Sequence, residues 1–323
     1  MRYLLILLFF AHSAFAGNYD AVDERALAAP PEVERSLESL AGYLTENAQS
    51  DEEKARAIYR WVTDRVEYDA PAYFSGRIAD QSPFSVLRSK RSVCSGYAKL
   101  FEALGKASGL EVVTLRGHAK GYGYFPGSLL AEHEWNAVRI DGKWRLVDAT
   151  WGAGYMKEGR FFREFSERFF LAPPEQLAFT HFPEDPAWQP GPRLTRGEFE
   201  SLPLPGPAFF NLGISAESAW DALSSSEFGG EFVHTFDTPW RKVTVKSAPL
   251  AFRLPEGKSQ HWTIESAAFE KMAIRYANRW IYMDATEGAF EATLTPGAPG
   301  EILVLGKKPG ENRYEALLAY RVD

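Results

Sequence analysis

The sequence predicts an α+β domain followed by an all-β sandwich, and three observations carry that expectation. Apolar residues recur at helical spacing through residues 30–68 and 94–108. Extended apolar runs joined by Asp141-Gly142 follow. Beyond a proline-rich stretch, short β-like runs alternate with turn signals over the rest of the chain.

The helices come first. Pro30-Pro31 precedes Val33, Leu37, Leu40, Tyr43 and Leu44, whose spacing makes one core-facing stripe. Ser50-Asp51-Glu52-Glu53 then offers capping residues and early acidic charge, with Ala55, Ile58, Tyr59, Trp61 and Val62 as the apolar face behind it. Residues 69–92 hold Pro71, Gly76 and Pro83 and read as an irregular connection. A third helix runs from about Cys94 to Ser108 and stops at Gly109; Tyr97, Ala98, Phe101, Leu104 and Ala107 form its stripe.

The period then changes from helical to extended. Residues 111–116 read as a strand and 117–127 as a glycine- and tyrosine-rich loop. Strands over 134–140 and 143–149 flank Asp141-Gly142, because a type I′ turn needs positive φ at both central positions. Prolines crowd residues 183–207, which places a domain boundary near 195. About seven strands follow at intervals of roughly ten residues, the pattern of a β-sandwich, the first spanning Trp240 to Val245. The expected divisions are therefore 1–16, 17–195 and 196–323.

Residues 1–16 read as a secretory signal. Arg2 is the positive end, Leu4 to Phe10 the apolar core, and Ala14-Phe15-Ala16 the small-x-small pattern, with cleavage before Gly17. The apolar run is shorter than the ~20 residues that cross a bilayer, so no membrane span is expected after cleavage; an uncleaved amino-terminal anchor is the alternative. The protein is expected to be secreted or periplasmic. A net charge of −7 argues against nucleic acid or an acidic lipid surface as partner, since each selects a basic footprint. One cysteine rules out intrachain disulfides and CxxC zinc sites, and no Asp-x-Asp-x-Asp-Gly loop is present, so neither a metal nor a cofactor is expected.

That single cysteine, Cys94, opens a helix in a chain that carries an export signal, where cysteines usually pair. The hairpin supplies partners for it. With Ile140 opposite Lys143, Asp148 falls opposite Trp135 and His133 opposite Thr150, so His133 and Asp148 share a face as diagonal neighbours ~7–8 Å apart at the backbone. Asp148 would orient one ring nitrogen of His133 while the other faces Cys94. At a helix start, free N–H groups and the helix dipole favour an anion on that sulfur. A thiolate–imidazolium pair of this kind suits attack on amide carbonyls. The Cys94 backbone N–H and the side chain of Gln81 are candidate oxyanion donors. Trp135 and Trp151 are expected to line the substrate pocket, and Tyr122 and Tyr124 to form a lid over it. His118 reads as a loop residue, and His181 as one that fixes the chain before the proline-rich segment.

Val93-Cys94-Ser95-Gly96-Tyr97-Ala98, then His133-Glu134-Trp135-Asn136, then Leu146-Val147-Asp148-Ala149-Thr150-Trp151, resemble the transglutaminase-like cysteine hydrolase superfamily. Lys54 to Val62 with Tyr68-Asp69 resembles it too, and the run from His181 to Gln189 is similar to the kyphoscoliosis peptidase branch. The resemblance covers about residues 33–190. It implies a papain-like core of helices on an antiparallel sheet, and immunoglobulin-like β modules after it. It also implies a Cys94–His133–Asp148 triad acting on amide bonds of protein or peptide substrates through a thioester, as peptidase, deamidase or transglutaminase. A catalytically silent module for protein binding is the alternative, and the C-terminal β domain offers a surface for a protein partner.

Overall fold

The computed structural model describes residues 19–125, 127–189, 193–206, 208–236 and 243–323. The expected signal, Pro190, Pro192 and Pro207 of the proline-rich stretch, and the start of the strand from Trp240 lie outside the described residues.

The first unit begins with three helices, α1 (Asp20–Leu27), α2 (Leu37–Thr45) and α3 (Asp51–Arg65). Ser36 and Ser50 cap α2 and α3 by accepting the N–H groups of Ser39 and Glu53. The connection over 69–92 is more regular than its prolines suggest. It contains α4 (Ala70–Ser75) and α5 (Pro83–Ser89), each with a proline in its first turn, between the paired segments β1 (Glu67–Tyr68) and β2 (Arg91–Ser92). Helix α6 (Cys94–Ala107) follows immediately.

Strands β3 (Val112–Ala119), β4 (Ala131–Ile140), β5 (Lys143–Val147) and, later in the chain, β8 (His181–Pro183) form an antiparallel sheet in the order β5-β4-β3-β8. The β4–β5 register is the expected one, from Ile140 opposite Lys143 to Asn136 opposite Val147. It stops there: Asp148 leaves the sheet to cap α7 (Ala149–Ala153), so Thr150 is helical and does not face His133. His118 lies in β3 opposite Glu132, not in a loop, because pairing on both edges of β3 extends the strand to Ala119. A hairpin of β6 (Gly154–Lys157) and β7 (Arg160–Arg163) follows α7, and α8 (Pro174–Leu177) precedes β8.

Pleat alternation puts two different layers on the sheet. Val112, Val138, Ile140 and Val147 join Tyr97, Leu100, Phe101 and Leu104 of α6 and the apolar faces of α2 and α3 in one core. Leu115, Trp135, Ala137 and Leu146 point the other way, against Ala172 and Leu177.

The second unit holds α9 (Arg196–Ser201), α10 (Ala216–Leu223) and strands β9 (His234–Thr235), β10 (Val243–Ser247), β11 (Arg253–Leu254), β12 (Gln260–Ser266), β13 (Lys271–Tyr276), β14 (Arg279–Tyr282), β15 (Asp284–Thr286), β16 (Ala289–Leu294), β17 (Gly300–Lys307) and β18 (Tyr314–Val322). One sheet runs β10-β12-β16-β15 and the other β11-β18-β17-β13-β14, with β9 also on β18. Val245, Trp262, Ile264 and Phe290 of the first meet Ile274, Ile302, Val304 and Tyr320 of the second in one core. Two features differ from a pure sandwich divided at residue 195. Helix α10 packs into its core, and the change of core is interleaved, with Phe179 before residue 195 already in the sandwich core and α9 after it leaning back on β8. Phe199 of α9 rests on Phe182 of β8 at 5.3 Å between ring centres, and Lys120 Nζ donates to the Leu202 carbonyl at 2.6 Å. No local pattern announces either feature, since both are tertiary contacts of short amphipathic helices. Among the described residues no helix is long and apolar enough to cross a membrane.

Gly117 lets β8 reach the sheet. A Cβ there would lie 2.0 Å from the Phe182 carbonyl oxygen. Gly117→Ala is therefore expected to lower stability by about 1–3 kcal/mol, read as a lower urea midpoint with an unchanged slope.

Candidate active site

Cys94 is the first residue of α6, preceded by Val93, which gives the helix no side-chain cap. Gly96 N–H donates to the Val93 carbonyl at 3.1 Å, which leaves the N–H groups of Cys94 and Ser95 without a helical partner. Gly96 makes the entry tight: a Cβ on it would fall 2.0 Å from Ser92 Oγ and 2.8 Å from Gln81 Oε1. Gln81 braces the same segment, its Oε1 accepting from the Val93 N–H at 3.0 Å and the Ser92 hydroxyl at 2.8 Å. Its Nε2 donates to the Ala79 carbonyl at 3.0 Å. The structure thus places Gln81 behind the cysteine, off the cavity wall.

Asn136 ties the histidine strand to the cysteine helix. Its Nδ2 donates to the Ala98 carbonyl of α6 at 3.0 Å and to Thr114 Oγ1 of β3 at 3.2 Å. Three residues earlier in β4, His133 Nε2 meets Asp148 Oδ2 at 2.8 Å, and His133 and Cys94 line the same cavity. With Nε2 committed to the carboxylate, Nδ1 is the nitrogen left for sulfur. Asp148 is held at its other oxygen too, since Oδ1 caps α7 by accepting from Thr150 N–H at 2.8 Å and Trp151 N–H at 3.0 Å. Cys94, partly open to solvent, shares the cavity wall with His133, and Asp148 holds His133 from behind.

A fourth residue joins them. His181 of β8 places its Nε2 3.1 Å from the same Asp148 Oδ2, and its Nδ1 2.8 Å from Thr180 Oγ1. The sequence suggested only a chain anchor at His181. It stands in a short extended run whose pairing with β3 is long-range, and no local signal carries that pairing. The ligand atoms of His133, Asp148 and His181 lie within 4.8 Å of one another and, among the described residues, form the group able to hold a metal ion. The two nitrogen-to-carboxylate hydrogen bonds already account for those contacts.

Burial and charge act in opposite directions here. Burial pulls His133 down, but the charge of the Asp148 carboxylate and its hydrogen bond, with Cys94 acting in the same direction, raise it to about 10. Burial pushes Asp148 up, and the His133 charge with the His133 and His181 hydrogen bonds holds it well below the usual carboxylate range. Burial dominates at His181 and lowers it to about 4. The Asp148 carboxylate thus favours the protonated form of His133, while burial favours the neutral form of His181.

A cavity of ≈ 680 Å³ opens beside Cys94 and His133, walled by aromatic rings that include Tyr68, Tyr73, Tyr122, Trp151, Tyr155 and Phe161. Trp151 and Tyr122 are on that wall. The Tyr122 hydroxyl accepts from Gly159 N–H in the β6–β7 turn at 3.1 Å, which links the two sides of the opening. Trp135 is not on the wall. It is 1% exposed in the layer behind the sheet and stacks on His133 at 5.9 Å between ring centres. Tyr124 also turns away, donating its hydroxyl to the Glu200 carbonyl at 3.0 Å. Trp135 shares the face of His133 but is covered by Leu146, Ala172 and Leu177, and α9 offers Tyr124 a backbone acceptor; local sequence reveals neither contact.

Residues 38–149 match the profile of the transglutaminase-like superfamily. Kyphoscoliosis peptidase of Mus musculus is 35% identical over 188 residues, which cover 56% of this chain and 28% of that protein. Lim and transglutaminase domain protein ltd-1 of Caenorhabditis elegans is 32% identical over 213 residues, 61% of this chain and 29% of that protein. Hillarin of Drosophila melanogaster is 30% identical over 214 residues, 61% of this chain and 26% of that protein. The chain spans less than a third of the length of each of these relatives.

The raised His133 sets a stability window. Its contribution is complete below its unfolded value of 6.5 and is lost as pH rises through about 10. Unfolding free energy is expected to fall between about pH 7 and pH 10 in the wild type. Asp148→Asn, which removes the charge that raises His133, is expected to flatten that slope; urea titrations at several pH values check it.

Proposed function

Because residues 38–149 are a transglutaminase-like domain of the kyphoscoliosis peptidase-like branch, we propose that this protein is an exported cysteine enzyme, secreted or periplasmic. It acts on amide bonds of protein or peptide substrates by acyl transfer. The observation that carries this reading is that Cys94 and His133 line one cavity, with His133 Nε2 held by a carboxylate that is itself fixed at both oxygens.

In the proposed reaction Cys94 Sγ, as thiolate, attacks the amide carbonyl carbon. The oxyanion forms next to the Cys94 backbone N–H at the uncapped helix start. His133 donates its Nδ1 proton to the departing nitrogen, the C–N bond breaks, and a thioester remains on Cys94. Water or an amine then attacks the thioester. His133 takes the proton from that nucleophile, and the thiolate leaves. Water gives peptide hydrolysis or glutamine deamidation, and an amine gives cross-linking. Asp148 keeps Nδ1 turned toward sulfur and stabilises the imidazolium throughout.

The aromatic cavity accepts an extended segment with apolar side chains, in keeping with a polypeptide substrate. The C-terminal β-sandwich is proposed as a contact surface for a protein partner.

Ammonia release, amine incorporation and peptide cleavage, measured in parallel on glutamine-containing proteins, test this function. Activity is expected in one or more assays and is expected to vanish in Cys94→Ala. Asp148→Asn is expected to lower kcat by about 10³–10⁴-fold with the fold intact. Absence of all three activities with every glutamine-containing protein tried would favour the silent binding module. A substrate-free check uses iodoacetamide. Alkylation of Cys94 at about pH 6 is expected to proceed in the wild type and to fall about tenfold or more in His133→Ala. Equal rates in the two proteins would mean that His133 does not serve the sulfur.

A further inference from the structure

Asp148 Oδ2 is shared by two histidines, and the acyl-transfer reading uses only one of them. We propose that His181 is a positioning residue of this site: as a neutral Nε2–H donor it occupies part of Asp148 Oδ2, aims the carboxylate, and weakens its hold on the His133 imidazolium. The inference rests on the acyl-transfer reading for its purpose and on the geometry around Asp148 for its substance.

Hydrogen bonding fixes the state of His181. A carboxylate oxygen only accepts, so the proton of the His181–Asp148 contact is on His181 Nε2. Next to a charged His133 and in a buried layer, a second cationic ring is disfavoured, so Nδ1 is an acceptor. The Thr180 hydroxyl stands 2.8 Å from Nδ1 and 3.1 Å from the Leu177 carbonyl oxygen, so its one proton is shared between two acceptors, and the share that reaches Nδ1 favours the Nε2–H tautomer. The ring is held by packing as well, at 4.6 Å from Trp151, 5.0 Å from Trp135 and 5.3 Å from His133 between centres.

The consequence concerns acid strength. A carboxylate that accepted from His133 alone at Oδ2 would hold the imidazolium more tightly. A more tightly held imidazolium is a weaker acid toward the departing nitrogen. By sharing that oxygen, His181 keeps His133 charged at neutral pH yet still able to release its proton. The other titratable and charged groups around Asp148 and His181 are Cys94, Tyr59, Tyr68, Tyr97 and Arg168, and all of them persist in the variants below.

The test follows the His133 ring by proton NMR in the full chain, with no substrate present. His181→Phe keeps a flat ring against Trp135 and Trp151 but loses the donor. Its His133 midpoint is expected to rise by about one pH unit from the wild-type position. His181→Gln, which returns an N–H donor at similar reach, is expected to restore the wild-type midpoint. Thr180→Val, which removes the hydroxyl that keeps the proton on Nε2, is expected to move His133 in the same direction as His181→Phe. On a turned-over substrate His181→Phe is expected to lower kcat about tenfold with KM unchanged. A His133 midpoint that stays put in both His181→Phe and Thr180→Val, with only a lower thermal midpoint, would overturn the proposal and leave His181 a packing residue. So would His181→Gln behaving like His181→Phe. Should Cys94 turn over nothing while the midpoint moves as expected, the acyl-transfer reading fails and the hold of His181 on Asp148 stands. Should Cys94 turn over substrate while the midpoint stays unmoved, acyl transfer stands and the positioning role of His181 fails.

Discussion

The carboxylate of Asp148 is the constraint on which the site depends. It is essentially buried, a costly position for a charge unless each of its oxygens is satisfied. Two backbone N–H groups of α7 take one oxygen, and two imidazoles take the other. Four donors from three separate elements converge on one side chain, so α7, β4 and β8 cannot shift independently without exposing a buried charge. The same four contacts let a charged His133 persist in an apolar surround.

The rest of the first unit delivers partners to that point. Asp148 serves as the last extended residue after β5 and as the N-cap of α7, and the change from sheet to helix aims its side chain. Asn136 fastens β4 to α6, which sets where His133 lies relative to Cys94. The absence of side chains at Gly117 and Gly96 lets two close approaches happen, β8 onto β3 and the 92–93 segment onto α6. The aromatic cavity lies where these elements end, and the hydrogen bond from the β6–β7 turn to Tyr122 closes one edge of it.

The sandwich is attached through packing rather than through a bare linker. Phe179, which follows α8, enters the sandwich core, with its ring 4.5 Å from that of Trp220 in α10. It stands two residues before His181, so one short segment contacts both the sandwich core and the Asp148 cluster. In the opposite direction α9 leans on β8 and on Lys120. The two units therefore share the segment from α8 to α9, which makes the expected clean break at residue 195 too sharp.

Local physics in the sequence was enough to determine helices α2, α3 and α6, the α6 start at Cys94, and the β4–β5 register as far as Val147. Apolar spacing, capping residues and a two-residue turn each act over a few neighbours. Period-two alternation puts His133 and Asp148 on one face of an extended hairpin, but the 2.8 Å contact is made by Asp148 as the N-cap of α7, outside that register. What only the tertiary structure decided involves partners distant in sequence. The turn of the chain out of the sheet at Asp148, the arrival of His181 on its carboxylate, the retreat of Trp135 into the layer behind the sheet and the turning of Tyr124 toward Glu200 all have this character. Each is settled by which buried polar group or apolar face lacks a partner after the local elements have formed, a quantity defined only when those elements pack together.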